Sequence, residues 1–310
     1  MIEPYKKGFK KRPLKTQKHR SHSRLNPKKK PTGFLKTAII FLILTVFIIS
    51  TLTLILSTKE NEAILYIETG TALIQRGNDW VQAVNGQKLK EGDKIKTLPT
   101  GYATIVFYDS SVARLENSTE ITIKNLEDGK IHLLQEYGNT WNSVKKIAGI
   151  ESFDVETPTN IASVTGTEFI VEETNLLVSE GNVEYTVGIK KKDNYSVNVE
   201  KGYKILTKTE SYEFNLTKLT QEDINRFNSH KKASIESLKQ QRLLLIKQDY
   251  ILNRLSKEYN EEDLKLFLDR VDKELIDKEK VKENLPIKTK TVEKIDQITE
   301  IIQKLEKDLQ

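Results

Sequence analysis

Cysteine is absent from all 310 residues. That excludes disulfides, thiolate zinc sites, cysteine nucleophiles and an anchor built on a lipidated cysteine. Histidine is scarce, and only His132 and His230 lie beyond residue 33. They are too far apart in sequence to form a metal-ligand pattern, and no calcium loop has the required spacing. Two S-x-x-K matches, Ser143 to Lys146 and Ser229 to Lys232, lack the S-D-N and K-T-G partners that serine acylation needs. The carboxylate pairs Glu172-Glu173 and Glu261-Glu262 sit at a strand end and a helix start, where solvated faces are the ordinary outcome. No catalytic, cofactor-binding or metal-binding residue is therefore expected, and the chain is not expected to be an enzyme.

Long hydrophobic runs are also few. There is one, and it divides the charge. Residues 1–33 hold 12 of the 50 Lys and Arg and only one acid, Glu3, whereas the remainder is mildly acidic. Between them, TAIIFLILTVFIISTLTLILST (37–58) contains no charged residue. As a helix it spans roughly 33 Å, against a hydrocarbon core of about 30 Å. Large residues near its end (Leu54, Ile55, Leu56) and the lack of a small-x-small site argue against a cleaved signal peptide. The expectation is one uncleaved transmembrane helix within 34–58, with the basic segment retained in the cytoplasm and the body outside it. Residues 1–33, rich in Lys with Pro and Gly interspersed, read as a disordered tail held against anionic lipid headgroups. Any polycation attracts nucleic acid by counterion release, so charge alone does not indicate that partner.

From Ile64 to about Leu216 the pattern is β. ATIVFYD alternates, with Ala103, Ile105 and Phe107 facing one way and Thr104, Val106 and Tyr108 the other. EITIKNL does the same through Ile121 and Ile123. NLLVSEGNVEYTVG reads as two short strands about Glu180-Gly181-Asn182, a cluster suited to a hairpin turn. VETPTNIASVTGTEFIVE reads as strands pinned around turns. Pro158 fixes φ, lacks a donor and biases Thr157 to extended geometry, which marks a strand start or edge. Gly166 permits a close approach that a Cβ would block. Val164, Phe169 and Val171 supply apolar packing, and Thr165 and Thr167 can bond turn backbone. Turn signals at short intervals indicate an all-β sandwich or an elongated stacked-strand fold, not βαβ units.

Four segments, in order, carry a resemblance: LKEGDKIKT (89–97), GYATIVFYDSSVARL (101–115), FDVETPTNIASVTGTEFIVE (153–172) and VSEGNVEY (178–185). Together they resemble the FecR-like domain over roughly 64–208, most specifically through Thr157, Pro158, Gly166, Thr167 and Phe169. The turn at Asp109 and the glycine at Gly181 belong to the same pattern. Two positions depart from it: Ser110 stands where the family has glycine in a D-G-S turn, and Thr165 stands where it commonly has arginine. The resemblance implies an extracytoplasmic β domain on a single-pass membrane protein. FecR itself passes a signal from an outer-membrane transporter to a sigma factor through a folded cytoplasmic domain. A basic tail of 33 residues does not resemble that domain, so the domain and topology carry over and the transcriptional mechanism does not.

After Leu219 the pattern becomes helical. Thr220 and Asp223 form a capping-box start. Ile224, Phe227, Ile235, Leu238 and Leu245 mark an apolar stripe, and a second helix is expected over 261–283 through Leu264, Phe267, Leu268, Val271 and Leu275, ended by Asn284-Leu285-Pro286. Ile295, Ile298, Ile302, Leu305 and Leu309 have the spacing of a short coiled-coil seam, which could serve self-association, or of a small bundle. The expected parts are thus a tail (1–33), a span (34–58), a β domain (64–208) and a helical region (218–310). The expected role is a non-catalytic envelope module that binds an unidentified protein or glycan. A transmembrane signal regulator acting through the tail is the alternative.

Overall fold

The computed structural model describes residues 63–309, except 109, 127–128, 146–150, 189–194, 208–213, 257–259 and 284–288. The tail, the apolar run Thr37–Thr58, Asp109 and the Asn284-Leu285-Pro286 break lie outside the described residues. No helix among the described residues is long and apolar enough to cross a membrane.

Two nine-stranded sheets lie face to face. The first contains β1 (Ala63–Thr69), β4 (Gln87–Leu89), β6 (Tyr102–Val106), β7 (Val112–Leu115), β10 (Thr140–Ser143), β13 (Glu168–Val171), β14 (Asn175–Glu180), β17 (Tyr203–Thr207) and β18 (Phe214–Lys218). Its spatial order is β18-β17-β14-β13-β10-β7-β6-β1-β4. The second contains β2 (Ala72–Arg76), β3 (Asp79–Gln82), β5 (Lys94–Thr97), β8 (Glu120–Asn125), β9 (Lys130–Tyr137), β11 (Ser152–Glu156), β12 (Asn160–Val164), β15 (Asn182–Val187) and β16 (Tyr195–Glu200). Its order is β16-β15-β12-β11-β9-β8-β5-β2-β3. The pairings are antiparallel apart from β9 with β11. The chain passes repeatedly from one sheet to the other, and the two sheets are the sandwich alternative of the sequence expectation.

Among the described residues five helices follow: α1 (Gln221–Gln248), α2 (Tyr250–Ser256), α3 (Glu261–Asp272), α4 (Lys278–Glu283) and α5 (Lys290–Lys307). The capping box at Thr220 and Asp223 is present. The expected helix over 261–283 is instead two, because the chain turns after Asp272 with Glu274 at φ 56°, leaving Leu275 exposed. The helical region is not a separate body; sheets and helices form one compact unit.

The two sheets differ in how they are buried. Between them lies a core that includes Ile105, Phe107, Ile121, Ile123, Phe153 and Phe169. Phe153 sits edge-on to Phe107 at 5.5 Å and to Phe169 at 6.3 Å. The far face of the first sheet carries a second cluster, in which Tyr66, Val106, Val112, Trp141 and Ile170 meet Phe227, Leu238, Ile298, Ile302 and Leu305 of α1 and α5. Strands of the first sheet are consequently buried on both faces: VARL, TWNS and EFIV are buried throughout. Strands of the second sheet alternate, as in SFDVE and NVEYTV.

Three sequence expectations change here. The Ile298, Ile302 and Leu305 seam is spent against the sheet and α1, so the described residues contain no coiled coil. NLLVSEGNVEYTVG is two strands but not a hairpin, since β14 and β15 belong to different sheets and Gly181 makes the crossing. Pro158 lies in the tight turn between β11 and β12, both interior strands, and marks neither an edge nor a strand start. Ser110 has φ 67°, a left-handed conformation that favours glycine. The expected glycine there therefore answers a backbone requirement, which serine meets at a conformational cost.

Candidate functional site

Helix α1 is fixed to the first sheet by a chain of charges. Its start is held by Thr220, whose Oγ1 accepts from Asp223 N (3.2 Å), and by Lys204, which donates to Asp223 at 2.7 Å. One turn later Arg226 donates to Glu116 (2.9 Å) and to Glu172 (2.5 Å). One more turn brings His230, with Nε2 2.9 Å from Glu116 Oε1 and Nδ1 2.8 Å from Arg114 Nη1. Arg114 is in turn held by Glu68, at 3.0 and 2.9 Å from Nε. A guanidinium can only donate, so Nδ1 of His230 accepts and the ring proton sits on Nε2. The ring stacks on Trp141, 6.1 Å away and tilted by 11°. Burial pushes the Glu116 carboxyl up, but hydrogen bonds from His230, Asn139 and Arg226 outweigh it and hold the group down at about 2.

Two further knots complete the attachment. Glu168 accepts from Trp141 Nε1 (3.0 Å) and from Ser179, and pairs with Lys231 at 3.0 Å. A cavity of about 530 Å³ opens above it between Lys218, Leu219, Ile224 and Phe227. Among the helices, both Nη atoms of Arg242 reach Asp272, at 2.5 and 2.6 Å, and Lys239 reaches Glu306 at 2.7 Å. Lys239, Arg242 and Asp272 line a cavity of about 490 Å³ between α1 and α3. In each knot the carboxylate is saturated by cations and donors, which suits holding elements together rather than accepting a substrate proton. Among the described residues no three His or acidic side chains are grouped so as to hold a metal.

The outer face of the second sheet is different: it is open and polar. Pairing aligns Asn198, Glu184, Ser163, Asp154 and His132 in one cross-strand row. His132 Nε2 lies 2.9 Å from Glu156 in the neighbouring row, beside half-buried Leu134 and Ile161. Toward the other end Lys94 and Lys96 project from β5, Lys96 standing 4.0 Å over the ring of Trp80. Strands about 4.8 Å apart make this a regular array of donors and acceptors.

Of the described residues singled out from sequence, Thr157 and Pro158 close a turn within the second sheet, Gly166, Thr167 and Gly181 build crossings between the sheets, and Val164 and Phe169 lie in the core. Thr157 N donates to Asn160 O (2.7 Å), and its Oγ1 accepts from Asn160 N (3.1 Å), closing the turn over Pro158. Val164 and Phe169 lie in the inter-sheet core. Thr167 Oγ1 donates to Asn182 O at 3.0 Å. Gly181 has φ 77°, and a Cβ there would fall 2.7 Å from Gly166 O. The close approach assigned to Gly166 thus depends on the missing Cβ of Gly181. Sequence reasoning missed Glu68, Arg114, Glu116, Arg226 and Glu168. The available signal was a charge inside otherwise apolar strands, as in VARL and EFIV.

No curated protein matches the chain. Two crystal structures of a proposed anti-sigma factor from Parabacteroides distasonis ATCC 8503, at 1.65 and 2.50 Å, are similar at 15% identity and a TM-score of 0.37. The similarity covers 43% of this chain and 62% of that one. A likeness at that level carries no functional argument. The strands from β5 into β15, with the turn and corner residues described above, lie within residues 93–184, and that segment matches the family described as FecR protein.

Proposed function

We propose that this chain is a non-catalytic binding module of the cell envelope. In this reading the run 37–58 stays in the bilayer, residues 1–33 remain cytoplasmic, and the open face of the second sheet meets a protein or glycan partner. The observation that carries it is the contrast between faces. The first sheet is covered by the chain's own helices, while the FecR-matched strands of the second sheet present an uncovered polar array. Such a face offers hydrogen bonds without an apolar pocket, which suits a broad contact better than a small substrate.

The test uses the full chain in detergent, immobilised and offered purified wall glycan or an envelope protein extract. Asp154→Lys with Glu184→Lys should abolish capture of whatever wild type retains. Capture unaffected by the pair removes the open face from the function. External protease on spheroplasts tests the topology: a body left intact while a surface control is degraded overturns it.

A transmembrane regulator is the second reading, favoured by the FecR match itself. Replacing residues 1–30 with an unrelated basic sequence separates the two. Loss of a downstream response with capture intact supports signalling through the tail, and an unchanged response supports the binding module alone.

A further inference from the structure

The charges on the open face are not mixed evenly. Lys94 and Lys96 on β5 and Lys124 on β8 occupy one half, and Asp154 on β11, Glu184 on β15 and Glu200 on β16 occupy the other. Glu120 lies directly opposite Lys96 on β8 and offsets part of the basic half without reversing its sign. His132 and Glu156 meet near the line that divides the halves, between β9 and β11. Leu134 and Ile161, half-buried apolar residues of this face, flank the same line, and Leu73 on β2 lies away from it.

We propose that the partner of this face is a second copy of the chain, stacked face to face about a two-fold axis near the β9–β11 boundary. This rests on the reading of the open face as the interaction surface, and it names the occupant. The strand order β16-β15-β12-β11-β9-β8-β5-β2-β3 makes the operation specific. An axis between β11 and β9 places β15 over the partner's β5 and β12 over the partner's β8. Glu184 then lies over the partner's β5, displaced along the strand from Lys94 and further from Lys96, roughly 12 Å to either side of the axis at about 4.8 Å per strand. Each pairing occurs twice, because a two-fold contact is isologous. Leu134 comes close to its own copy at the centre, where water is excluded first, and Ile161 faces the partner's β8. A uniformly charged face would repel its copy; a face divided into opposite halves is complementary to itself after rotation.

The absence of native cysteine makes the test direct. Leu134→Cys and, as control, Leu266→Cys on α3 are each introduced into the full chain in membranes and treated with a short bismaleimide. Leu266 is 60% exposed, so its reagent access is assured. Leu134→Cys should give a cross-linked dimer and Leu266→Cys should not. Lys94→Glu with Lys96→Glu should lower the dimer yield at least about tenfold, and adding Asp154→Lys with Glu184→Lys should restore it. A monomeric Leu134→Cys, equal dimer at Leu266→Cys, or failure of the fourfold variant to restore a folded protein's dimer overturns the proposal. If Leu134→Cys stays monomeric while Asp154→Lys with Glu184→Lys still abolishes capture of wall glycan, the second copy is wrong and the open face stands. If neither responds, the reading of the face falls as well.

Discussion

The two sheets are built from similar strands yet differ in what lies on their far sides. In the central strands of the first, the alternate side chains that would have met water meet α1 or α5 instead, and Glu68, Arg114 and Glu168 caught there are paired. In the second, the alternate side chains remain in solvent, and most of their charges do not need partners. The difference teaches that burial, more than residue type, decides what a charge does: Glu116 and Glu168 are clamps, whereas Glu184 and Glu200 are free to recognise.

The largest effect that would sharpen this comparison is expected at Trp141. Trp141→Ala removes a fully buried ring that packs on both α1 and the sheet and takes away one of the donors to Glu168, and should cost about 3–5 kcal/mol. Ile161→Ala on the open face should cost less than about 1 kcal/mol. Chemical denaturation of the full chain in detergent compares the two, and equal losses would break the distinction between the faces.

Glu168→Ala should come next, at about 3 kcal/mol or more, because it strands the Lys231 ammonium in a buried site. Restoration by Lys231→Met in the same background would confirm that the unpaired charge, and not the lost packing, is responsible. Gly181→Ala should cost more than about 1 kcal/mol, since the corner requires both a left-handed backbone and the absence of a Cβ near Gly166 O. The same exchange at Gly77, equally left-handed but with open space around it, should cost less.

Acid provides the mildest test. Glu116 and Glu300 are both held at about 2, below the ordinary carboxylate value of 4.5, Glu300 by Lys278 and Lys145. A depressed carboxyl contributes stability above its ordinary value and loses it as pH falls through its folded value. The helix–sheet attachment should therefore weaken progressively between about pH 4.5 and 2. Hydrogen exchange in α1 should rise across that window, and Glu116→Gln should flatten the dependence. Exchange in β15, which does not depend on these groups, should change less.

Much of the β body was legible in the sequence. The alternation in ATIVFYD separated Ala103, Ile105 and Phe107, now between the sheets, from Thr104 and Val106, now beneath the helices, but Tyr108, expected with the second set, packs against the inter-sheet core. The capping box at Thr220 and the corner residues around Thr157 and Gly181 were equally visible, because each depends on chemistry within a few residues. That β14 and β15 enter different sheets was not visible, since a turn that crosses between sheets has the same glycine-centred composition as one that closes a hairpin. The fate of the Ile298, Ile302 and Leu305 seam was hidden for a related reason: an apolar stripe states that it will be covered and not by what.

The sequence by itself determined the division of charge about one apolar run, the strand-rich middle and the helical end, because composition and periodicity are local properties of the chain. Only the tertiary structure decided that the helices cover the first sheet and leave the second open. That choice depends on contacts such as Arg114 with His230 and Glu168 with Lys231, whose members lie far apart along the chain and acquire their partners only when the layers close.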